Sequence, residues 1–195
     1  FTSVASIILD FITSLFLLAF VFVPSFPIFA LLIKLTSKGE IFFKQKRVGL
    51  NGKCFTIYKY RTMVHQARSK GAAWTLKNDK RITAVGKFFR KYRIDELPQL
   101  INIIKGDMSL IGPRPEAVEL VQQFKKKIPF YEYRNLVKPG LTGWAQVNYS
   151  NTCSTDGALE KLQYDLYWIK NRSFWLDLKT LFKSIKVVIT GFGSV

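Results

Sequence analysis

The N-terminal part of the sequence contains the uncharged segment FITSLFLLAFVFVPSFPIFALLI, which occupies residues 11–33. No charged residue lies between Asp10 and Lys34, so the segment is long and apolar enough for a bilayer helix, which needs roughly 20 residues. It does not resemble a signal peptide, because no Lys or Arg precedes it and no small-residue cleavage site follows it. The segment therefore predicts a membrane helix near the N-terminus.

Two prolines, Pro24 and Pro27, lie inside this segment. Each removes a backbone donor and clashes with the preceding turn, so a break or strong kink is expected. Two geometries stay open at this point. A kinked helix crosses the bilayer and carries Asp10 to the far side, or a helix–break–helix enters and leaves by one face and keeps Asp10 at the cytoplasmic interface.

The sequence after Lys34 is strongly basic. The 195 residues contain 30 Lys+Arg and 13 Asp+Glu, for a net charge of +17, and by the positive-inside rule this part is expected in the cytoplasm. A hydrophobic content of 48% with 15% aromatic residues excludes a disordered polycation. A partner that is both anionic and apolar, such as a phospholipid surface, fits this composition better than nucleic acid does.

Local patterns predict a short β-hairpin at residues 40–60, where Asn51-Gly52 marks the turn between two β-prone runs. A polar loop is expected at 65–80. Helical patterns cover Val85–Arg93, Asp95–Lys105, 116–128 and 157–170. The expected fold class is α+β, with a compact, mostly helical domain at 37–195 that follows the membrane segment at 1–36.

The C-terminal part predicts an amphipathic helix. Its apolar face carries Phe174, Leu178, Leu181, Phe182, Ile185 and Val188 or Ile189, and another face carries Lys179, Lys183 and Lys186. Such a helix lies well on an anionic membrane surface. A helix that turns its apolar face to the protein core and its lysines to solvent has the same pattern, and both interpretations stay open.

The sequence has few groups for chemistry. It contains none of the short motifs of P-loops, dinucleotide-binding turns, serine hydrolases or zinc proteases. One histidine, His65, and two cysteines, Cys54 and Cys153, exclude a multi-histidine metal site and a disulfide framework. Any catalysis must therefore use carboxylates, arginines and lysines, with or without a metal ion.

The pair Asp95-Glu96 follows the cations Arg90, Lys91 and Arg93 and opens a predicted helix. In one interpretation Asp95 caps the helix and Glu96 complements its dipole, each contributing about 1 kcal/mol or less. In the other, the cations hold a phosphate beside an ionised Asp95, which attacks phosphorus while Glu96 holds Mg²⁺.

Arg114 lies between Pro113 and Pro115, which fix φ on either side of it. A guanidinium on such a stiff backbone suits bidentate phosphate binding, and a tight turn with an exposed arginine has the same sequence. The glycines of the loop 138–144 let its backbone approach a nucleotide closely, or close a turn onto a core tryptophan. There are four further acids, and most of these four are interpreted as surface or capping groups: Asp107, Glu116, Glu119 and Asp165.

Four segments together resemble the bacterial sugar transferases, which are polyprenyl-phosphate sugar phosphotransferases, also called monotopic phosphoglycosyl transferases. The segments are KYRTM at 59–63, RIDELPQL at 93–100, KGDMSLIGPRP at 105–115 and KPGLTGWAQVN at 138–148. They occur in the family's order, and the similarity extends over nearly the whole chain, with the exopolysaccharide type of catalytic domain as the best match.

The resemblance implies transfer of a sugar-1-phosphate from a UDP-sugar to undecaprenyl phosphate, with release of UMP, as the first membrane step of surface-glycan synthesis. It implies that Asp95 is the nucleophile of a covalent phosphosugar intermediate and that Glu96, with Asp95, binds Mg²⁺. The implied phosphate and nucleotide contacts are Arg90 and Arg114. The matching motifs add three substrate-binding candidates, Lys59, Arg61 and Lys138.

The resemblance further implies a re-entrant membrane helix broken at Pro24, which selects the second geometry, and helices that lie in the membrane interface. The expected location is the bacterial inner membrane, with the catalytic part facing the cytoplasm. The expected partners are the two substrates and inner-membrane phospholipids, with no nucleic acid. A homodimer is compatible with the sequence, which leaves the oligomeric state open.

Two segments depart from the family pattern. Residues 5–10 read ASIILD, without the basic residue that usually precedes this Asp in the family. Residues 148–152 read NYSNT where many members carry an arginine, so that phosphate contact has no counterpart here. The alternative function is a non-catalytic, membrane-tethered basic module that binds anionic lipids or nucleic acid. Mg²⁺-dependent release of UMP distinguishes the two functions, because a binding module releases none.

Overall fold

The N-terminal helix is the longest element of the structure, a computed structural model that describes residues 4–65, 67, 79–149 and 154–193. Most of the predicted loop at 65–80, most of the segment 148–152 and Cys153 fall outside these residues. The helix comprises α1 (Val4–Leu17), a π-helical turn (Leu18–Phe22) and α2 (Val23–Thr36). The stretch Ser6–Thr36 contains an 18-residue segment with a mean hydropathy of 2.6 and is long and apolar enough to cross a membrane.

The sequence predicted a break or a strong kink at Pro24 and Pro27. Both prolines lie within continuous helix, so the break is not found. At Phe22, directly before α2, φ is −67° and ψ is −52°, which are right-handed helical values. The π-helical turn precedes Pro24, and the Ser25 hydroxyl donates to the Val21 carbonyl at 2.6 Å. Wide turns and serine-to-carbonyl bonds both accommodate proline without loss of the helix. The irregularity at the prolines is therefore a π-helical turn.

The predicted hairpin is confirmed. Strands β1 (Phe42–Val48) and β2 (Cys54–Tyr60) are antiparallel, with Phe42 opposite Tyr60. A 3₁₀ turn at Leu50–Gly52 joins them. In this turn Asn51 and Gly52 have φ values of 52° and 76°, the left-handed region that Asn and Gly tolerate best. The Asn-Gly pair therefore predicted the position of the turn, and the turn sets the register of the two strands.

The domain after the hairpin is mostly helical, as predicted, and four of its helices match predicted segments within a few residues. It also contains a parallel pair, β3 with β4, that the sequence did not predict, because three-residue strands are too short for periodicity to reveal. In chain order the elements are α3 (Ala84–Lys91), α4 (Leu100–Ile104), β3 (Ser109–Ile111), α5 (Val118–Lys127), β4 (Gly140–Thr142), α6 (Trp144–Asn148), α7 (Thr155–Lys170) and α8 (Phe174–Thr190).

The segment predicted as one helix from Asp95 to Lys105 is instead a 3₁₀-helix, Ile94–Gln99, followed by the short α4. Pro98 has no N–H, so an α-helical hydrogen bond cannot form from it. The residue that precedes the 3₁₀-helix is Arg93, in the left-handed conformation with φ 57°, and no side chain caps this end. The interpretation of Asp95 as a helix cap is therefore wrong.

Helix α8 turns its apolar face outward. Phe174, Phe182 and Ile189 are each about two-thirds exposed (67%, 65% and 68%). On the opposite side the Nζ atoms of Lys179 and Lys183 lie 5.7 and 4.7 Å from the centre of the Trp144 ring. The interpretation in which the apolar face packs on the core is thus wrong, and this face is open to a partner.

The membrane helix and the hairpin share one aromatic cluster with Tyr60 at its centre. The Tyr60 ring stacks on Phe22 at 5.8 Å and on Phe42 at 5.7 Å, and it meets Phe29 and Phe89 at 5.9 Å. Tyr60 is 1% exposed, and burial raises its pKa to about 12. Within the described part of the chain its hydroxyl has no hydrogen-bond partner. The N-terminal helix is therefore part of the domain core.

We predict that Tyr60→Ala lowers the free energy of unfolding by about 3–5 kcal/mol, because it leaves a cavity among four aromatic rings. Tyr60→Phe should leave this free energy unchanged or raise it, since the lost hydroxyl makes no hydrogen bond. Urea unfolding in detergent, followed by tryptophan fluorescence, measures both. A loss above about 1 kcal/mol for Tyr60→Phe would show that the hydroxyl has a partner.

Candidate active site

Three separate parts of the chain meet at the Glu96 carboxylate. Strand β2 supplies Lys59, whose Nζ lies 2.8 Å from Glu96 Oε1. The loop before α5 supplies Arg114, whose Nη2 lies 2.6 Å from Oε1 and whose Nη1 lies 3.4 Å from Oε2. Glu96 is 5% exposed. A buried carboxylate held by a guanidinium fork and an ammonium group is a strong, oriented charge cluster.

Opposing effects set the charge state of this cluster. Burial alone would raise the pKa of Glu96, but the positive charges of Arg114 and Lys59 outweigh it and hold the pKa well below its usual value. Burial lowers the pKa of Lys59, and the charge of Glu96 counteracts this effect. Glu96 is therefore ionised and serves as the counter-ion of both cations.

Asp95 has a different environment from its neighbour. It is 7% exposed, and its Oδ1 is buried without a hydrogen-bond partner among the residues that the structure describes. Burial raises the pKa of Asp95, and the charge of Lys59 offsets this only in part. A buried carboxylate oxygen with an unmet hydrogen-bonding requirement is expected where a ligand or metal completes a site. Of the two acids, Asp95 is the one with a free, more basic oxygen.

Arg90 contributes charge to the pair from α3. Its Nε donates to Thr62 Oγ1 at 2.9 Å, which fixes the guanidinium. Its positive charge favours ionised Asp95 and, less strongly, ionised Glu96. The predicted site residues Asp95, Glu96, Arg90, Arg114 and Lys59 therefore lie in one electrostatic unit.

Two other predicted contacts lie elsewhere. Arg61 Nη2 donates to the carbonyl of Ser37 at 2.7 Å, at the end of α2. Lys138 places its Nζ beside Gly106, at the end of α4 that is remote from the acidic pair. In the part of the chain that the structure describes, no hydrogen bond or ion pair joins Arg61 or Lys138 to either acid, and their substrate contacts stay predictions.

Asn102 on α4 holds β2 beside the acidic pair, and sequence analysis missed it. Its Oδ1 accepts from the Tyr58 N–H at 3.2 Å, and its Nδ2 donates to the Thr56 carbonyl at 2.8 Å. The side chain is fully buried. These bonds set the position of Lys59, the next residue on the strand. The signal was an amide within the apolar run Leu100–Ile104, where a polar residue needs an internal partner.

The sequence was interpreted as placing most of the further acids at the surface or in caps. For Glu116 and Asp165 this interpretation is wrong. Asp165 is 2% exposed and pairs with Arg134 at 2.8 Å. Glu116 lies 3.1 Å from Lys161. Asp165 follows Leu162 by three positions on α7, so it occupies the core-facing side of the helix. A carboxylate at such a position indicates a buried cation, which could have been inferred from the helical periodicity.

The acidic pair has oxygens suited to Mg²⁺. Glu96 Oε2 has only the long contact to Arg114, and Asp95 Oδ1 has no partner, so each acid keeps an oxygen for a hard cation. Among the described residues, no third His, Cys, Asp or Glu completes a metal-holding group. Mg²⁺ commonly takes one or two carboxylates and completes its shell with phosphates and water, so the pair fits this ion.

These features define a class: a membrane-associated domain whose buried, cation-lined carboxylate pair is suited to anionic phosphate groups. Comparison with known proteins identifies the family. The bacterial sugar transferase family model matches residues 1–191, and the chain belongs to this family.

Three relatives illustrate the similarity. The UDP-N-acetylgalactosamine-undecaprenyl-phosphate N-acetylgalactosaminephosphotransferase of Aeromonas hydrophila is 50% identical over 85% of this chain and 39% of its own length. The uncharacterized sugar transferase EpsL of Bacillus subtilis (strain 168) is 43% identical over 83% of this chain and 76% of its own. The UDP-glucose:undecaprenyl-phosphate glucose-1-phosphate transferase of Escherichia coli (strain K12) is 40% identical over 80% of this chain and 34% of its own length.

Replacing each of the two adjacent acids by its uncharged amide should change the folding stability in opposite directions. The pKa of Asp95 is raised above its unfolded value of about 3.9, so its ionised form opposes folding at neutral pH. We predict that Asp95→Asn stabilises the protein at pH 7, and that the gain shrinks as the pH falls toward 4. Glu96→Gln should cost about 3–5 kcal/mol at pH 7, because it leaves two buried cations unpaired.

Urea unfolding of the wild type and both variants between pH 4.5 and 8 measures these effects. The depressed pKa of Glu96 makes its contribution to stability present above about pH 4.3 and lost as the pH falls through its folded value. Asp156→Asn, at an exposed acid in the first turn of α7, is the matched control. Destabilisation by Asp95→Asn at pH 7 would contradict the assigned environment of Asp95.

Proposed function

We propose that this chain transfers a sugar-1-phosphate from a UDP-sugar to undecaprenyl phosphate through a covalent intermediate on Asp95. The observation that carries the proposal is the contrast between the two acids. Glu96 is ionised and held by Lys59 and Arg114, whereas Asp95 has a buried oxygen without a partner. One carboxylate is thus fixed, and the other is free to react.

The reaction has two displacements at one phosphorus atom. First, a carboxylate oxygen of Asp95 attacks the phosphate that carries the sugar, the bond from that phosphorus to the oxygen bridging to UMP breaks, and UMP leaves with the electron pair. Then a phosphate oxygen of undecaprenyl phosphate attacks the same phosphorus and displaces Asp95 as a free carboxylate. The products are UMP and a polyprenyl-diphosphate-linked sugar.

Each site residue has a role that its geometry supports. Lys59, Arg90 and Arg114 bring positive charge to a site where both substrates are anionic, and charge neutralisation is the main requirement of phosphoryl transfer. Glu96 orients Lys59 and Arg114. With Asp95, it would hold Mg²⁺, which when bound neutralises phosphate charge. Burial of Asp95 keeps its carboxylate poorly solvated and therefore more nucleophilic.

The relatives support the reaction class and leave the donor open. Their names specify N-acetylgalactosamine, glucose and, for a 39% identical protein of Salmonella typhimurium, galactose. The chain spans 39% and 34% of the length of the first and third of the relatives described above. The donor is accordingly tested with a panel of UDP-sugars.

We also propose that the N-terminal helix enters and leaves the membrane by the same face, with the domain in the cytoplasm. Near the start of the helix, Asp10 accepts hydrogen bonds from Ser109 Oγ at 2.5 Å and the Leu110 N–H at 3.2 Å. At its end, the Ser37 carbonyl accepts from Arg61. Contact of both ends with one domain supports this topology, since a crossing helix would separate them by a bilayer.

The outward apolar residues supply the membrane contact in this proposal. Along the helix, Phe16, Phe20 and Leu31 are more than half exposed. The outward face of α8, described above, is the second apolar surface, and we propose that it lies in the membrane interface. The high positive charge of the chain would add attraction to anionic phospholipids.

The reaction is tested in nanodiscs that contain undecaprenyl phosphate and Mg²⁺, with UDP-N-acetylgalactosamine, UDP-glucose and UDP-galactose supplied singly. We predict UMP release with at least one donor and a loss of at least about 10³-fold in Asp95→Asn. Without undecaprenyl phosphate, intact-mass measurement should find one sugar phosphate per wild-type chain and none on the variant. Asp156→Asn is the control and should keep full turnover.

Other outcomes decide against parts of the proposal. Near-normal turnover in Asp95→Asn would remove Asp95 from the nucleophile role. An unchanged Mg²⁺ requirement in Glu96→Gln would move the metal-binding role to another residue. Absence of UMP release by the wild type with every donor would contradict the reaction and favour the non-catalytic basic module.

The membrane topology is tested by cysteine labelling in a Cys54→Ser/Cys153→Ser background. We predict that a cysteine introduced by Ser6→Cys is not labelled by an impermeant maleimide in intact spheroplasts and is labelled after lysis. A cysteine introduced by Lys38→Cys, just past the other end of the helix, should behave in the same way. Labelling of position 6 alone from outside would show a crossing helix.

A further inference from the structure

The segment Pro113–Glu116, which contains Arg114, is fixed at four consecutive backbone carbonyls. The carbonyl of Pro113 accepts from the Gly140 N–H of β4 at 2.9 Å, and that of Glu116 accepts from the Val48 N–H of β1 at 3.1 Å. The two middle carbonyls accept from side chains. Arg47 Nη1 donates to Pro115 at 3.1 Å, and Arg134 Nη2 donates to Arg114 at 2.8 Å.

Arg134 is the most buried of these donors. Its side chain is 4% exposed and lies on the 3₁₀-helix Tyr131–Leu136, one turn after Tyr131. Its Nη1 donates to the Tyr131 hydroxyl at 2.7 Å, and its Nη2 pairs with Asp165 Oδ2 at 2.8 Å. Arg134 therefore reaches the Arg114 carbonyl from a side chain that is itself held at both ends of its guanidinium.

The electrostatics around Arg134 keep this arrangement charged. Burial alone would raise the pKa of Glu116, but the charges of Lys161 and Arg134 bring it down to about 2. Burial raises the pKa of Asp165, while Arg134 counteracts this effect. Arginine stays protonated in proteins, so the guanidinium of Arg134 lies between two acids and keeps its hydrogen bonds over a wide pH range.

We propose that Arg134 is a positioning residue, which holds the backbone of Arg114 so that the Arg114 fork stays on Glu96. The proposal rests on the proposed function for its catalytic consequence. Arg134 makes no hydrogen bond or ion pair with Asp95 or Glu96 among the described residues, so it acts through Arg114. Displacement of a catalytic group by about 1 Å can cost 10²-fold in rate, which makes such support important.

Stability measurements test the positioning role without any assay of activity. Arg134→Lys keeps a positive charge for Asp165 but cannot pair with Asp165 and also donate to the Tyr131 hydroxyl and the Arg114 carbonyl in the same planar geometry. If Arg134 holds Arg114 on Glu96, the effect of Glu96→Gln on the folding equilibrium constant should be at least about three-fold smaller in the Arg134→Lys background than in the wild type. Equal effects in both backgrounds would overturn the proposal.

Activity measurements test the consequence for the reaction. We expect Arg134→Lys to lower kcat/KM per folded chain by roughly 10- to 100-fold. In an Arg114→Lys background the same change should cost less than about 3-fold, since the residue through which it acts is already altered. The same factor in both backgrounds would show that Arg134 only supports the fold.

The control is Arg172→Lys, the same substitution at an arginine 3.8 Å from Asp177 and over the Trp168 ring. It should leave kcat/KM unchanged and show no coupling to Glu96→Gln. If Arg134→Lys does not fold, Tyr131→Phe replaces it in the stability and activity comparisons. This variant removes one hydrogen-bond acceptor of Arg134. Coupling in stability without UMP release by the wild type would refute the proposed function and uphold the positioning role.

Discussion

An ionised carboxylate buried away from water needs compensating positive charge, and much of this structure brings that charge to Glu96. Lys59 arrives on β2 and Arg114 on the loop before α5. Neither cation is near Glu96 in sequence, so the hairpin, the loop and the 3₁₀-helix must all reach their final positions together. Removal of one partner would leave a buried charge unpaired, which costs more than the pair contributes.

The same constraint separates the roles of two adjacent residues. Glu96 has its charge balanced by two close contacts, while Asp95 has an oxygen that no protein donor reaches. The 3₁₀-helix causes this difference, because its tight turn sends neighbouring side chains to different sides. Arg93, in a left-handed conformation, directs the chain from α3 into this helix. Backbone geometry thus produces, from two similar acids, one paired counter-ion and one carboxylate with an unpaired buried oxygen.

Local features of the fold could be predicted, and contacts between distant residues could not. Asn51-Gly52 marked the hairpin turn, and apolar periodicity located α7, because both signals lie within a few residues of chain. The motif resemblance identified Asp95, Glu96 and Arg114, but it did not show that Lys59, 37 positions away, pairs with Glu96. The site predictions for Arg61 and Lys138 came from motifs alone and did not include the contacts these residues make with Ser37 and Gly106.

Strand β2 links the packing of the N-terminal membrane helix to the geometry of the site around Glu96. Adjacent residues on a strand face opposite sides, so Lys59 points to Glu96 while Tyr60 joins the rings of the N-terminal helix. A version shortened to residues 37–195 for easier purification would strip Phe22 and Phe29 from Tyr60. The newly exposed aromatic surface would lie one residue from Lys59, which pairs with Glu96. Solubility gained in this way would come with a loosened active site.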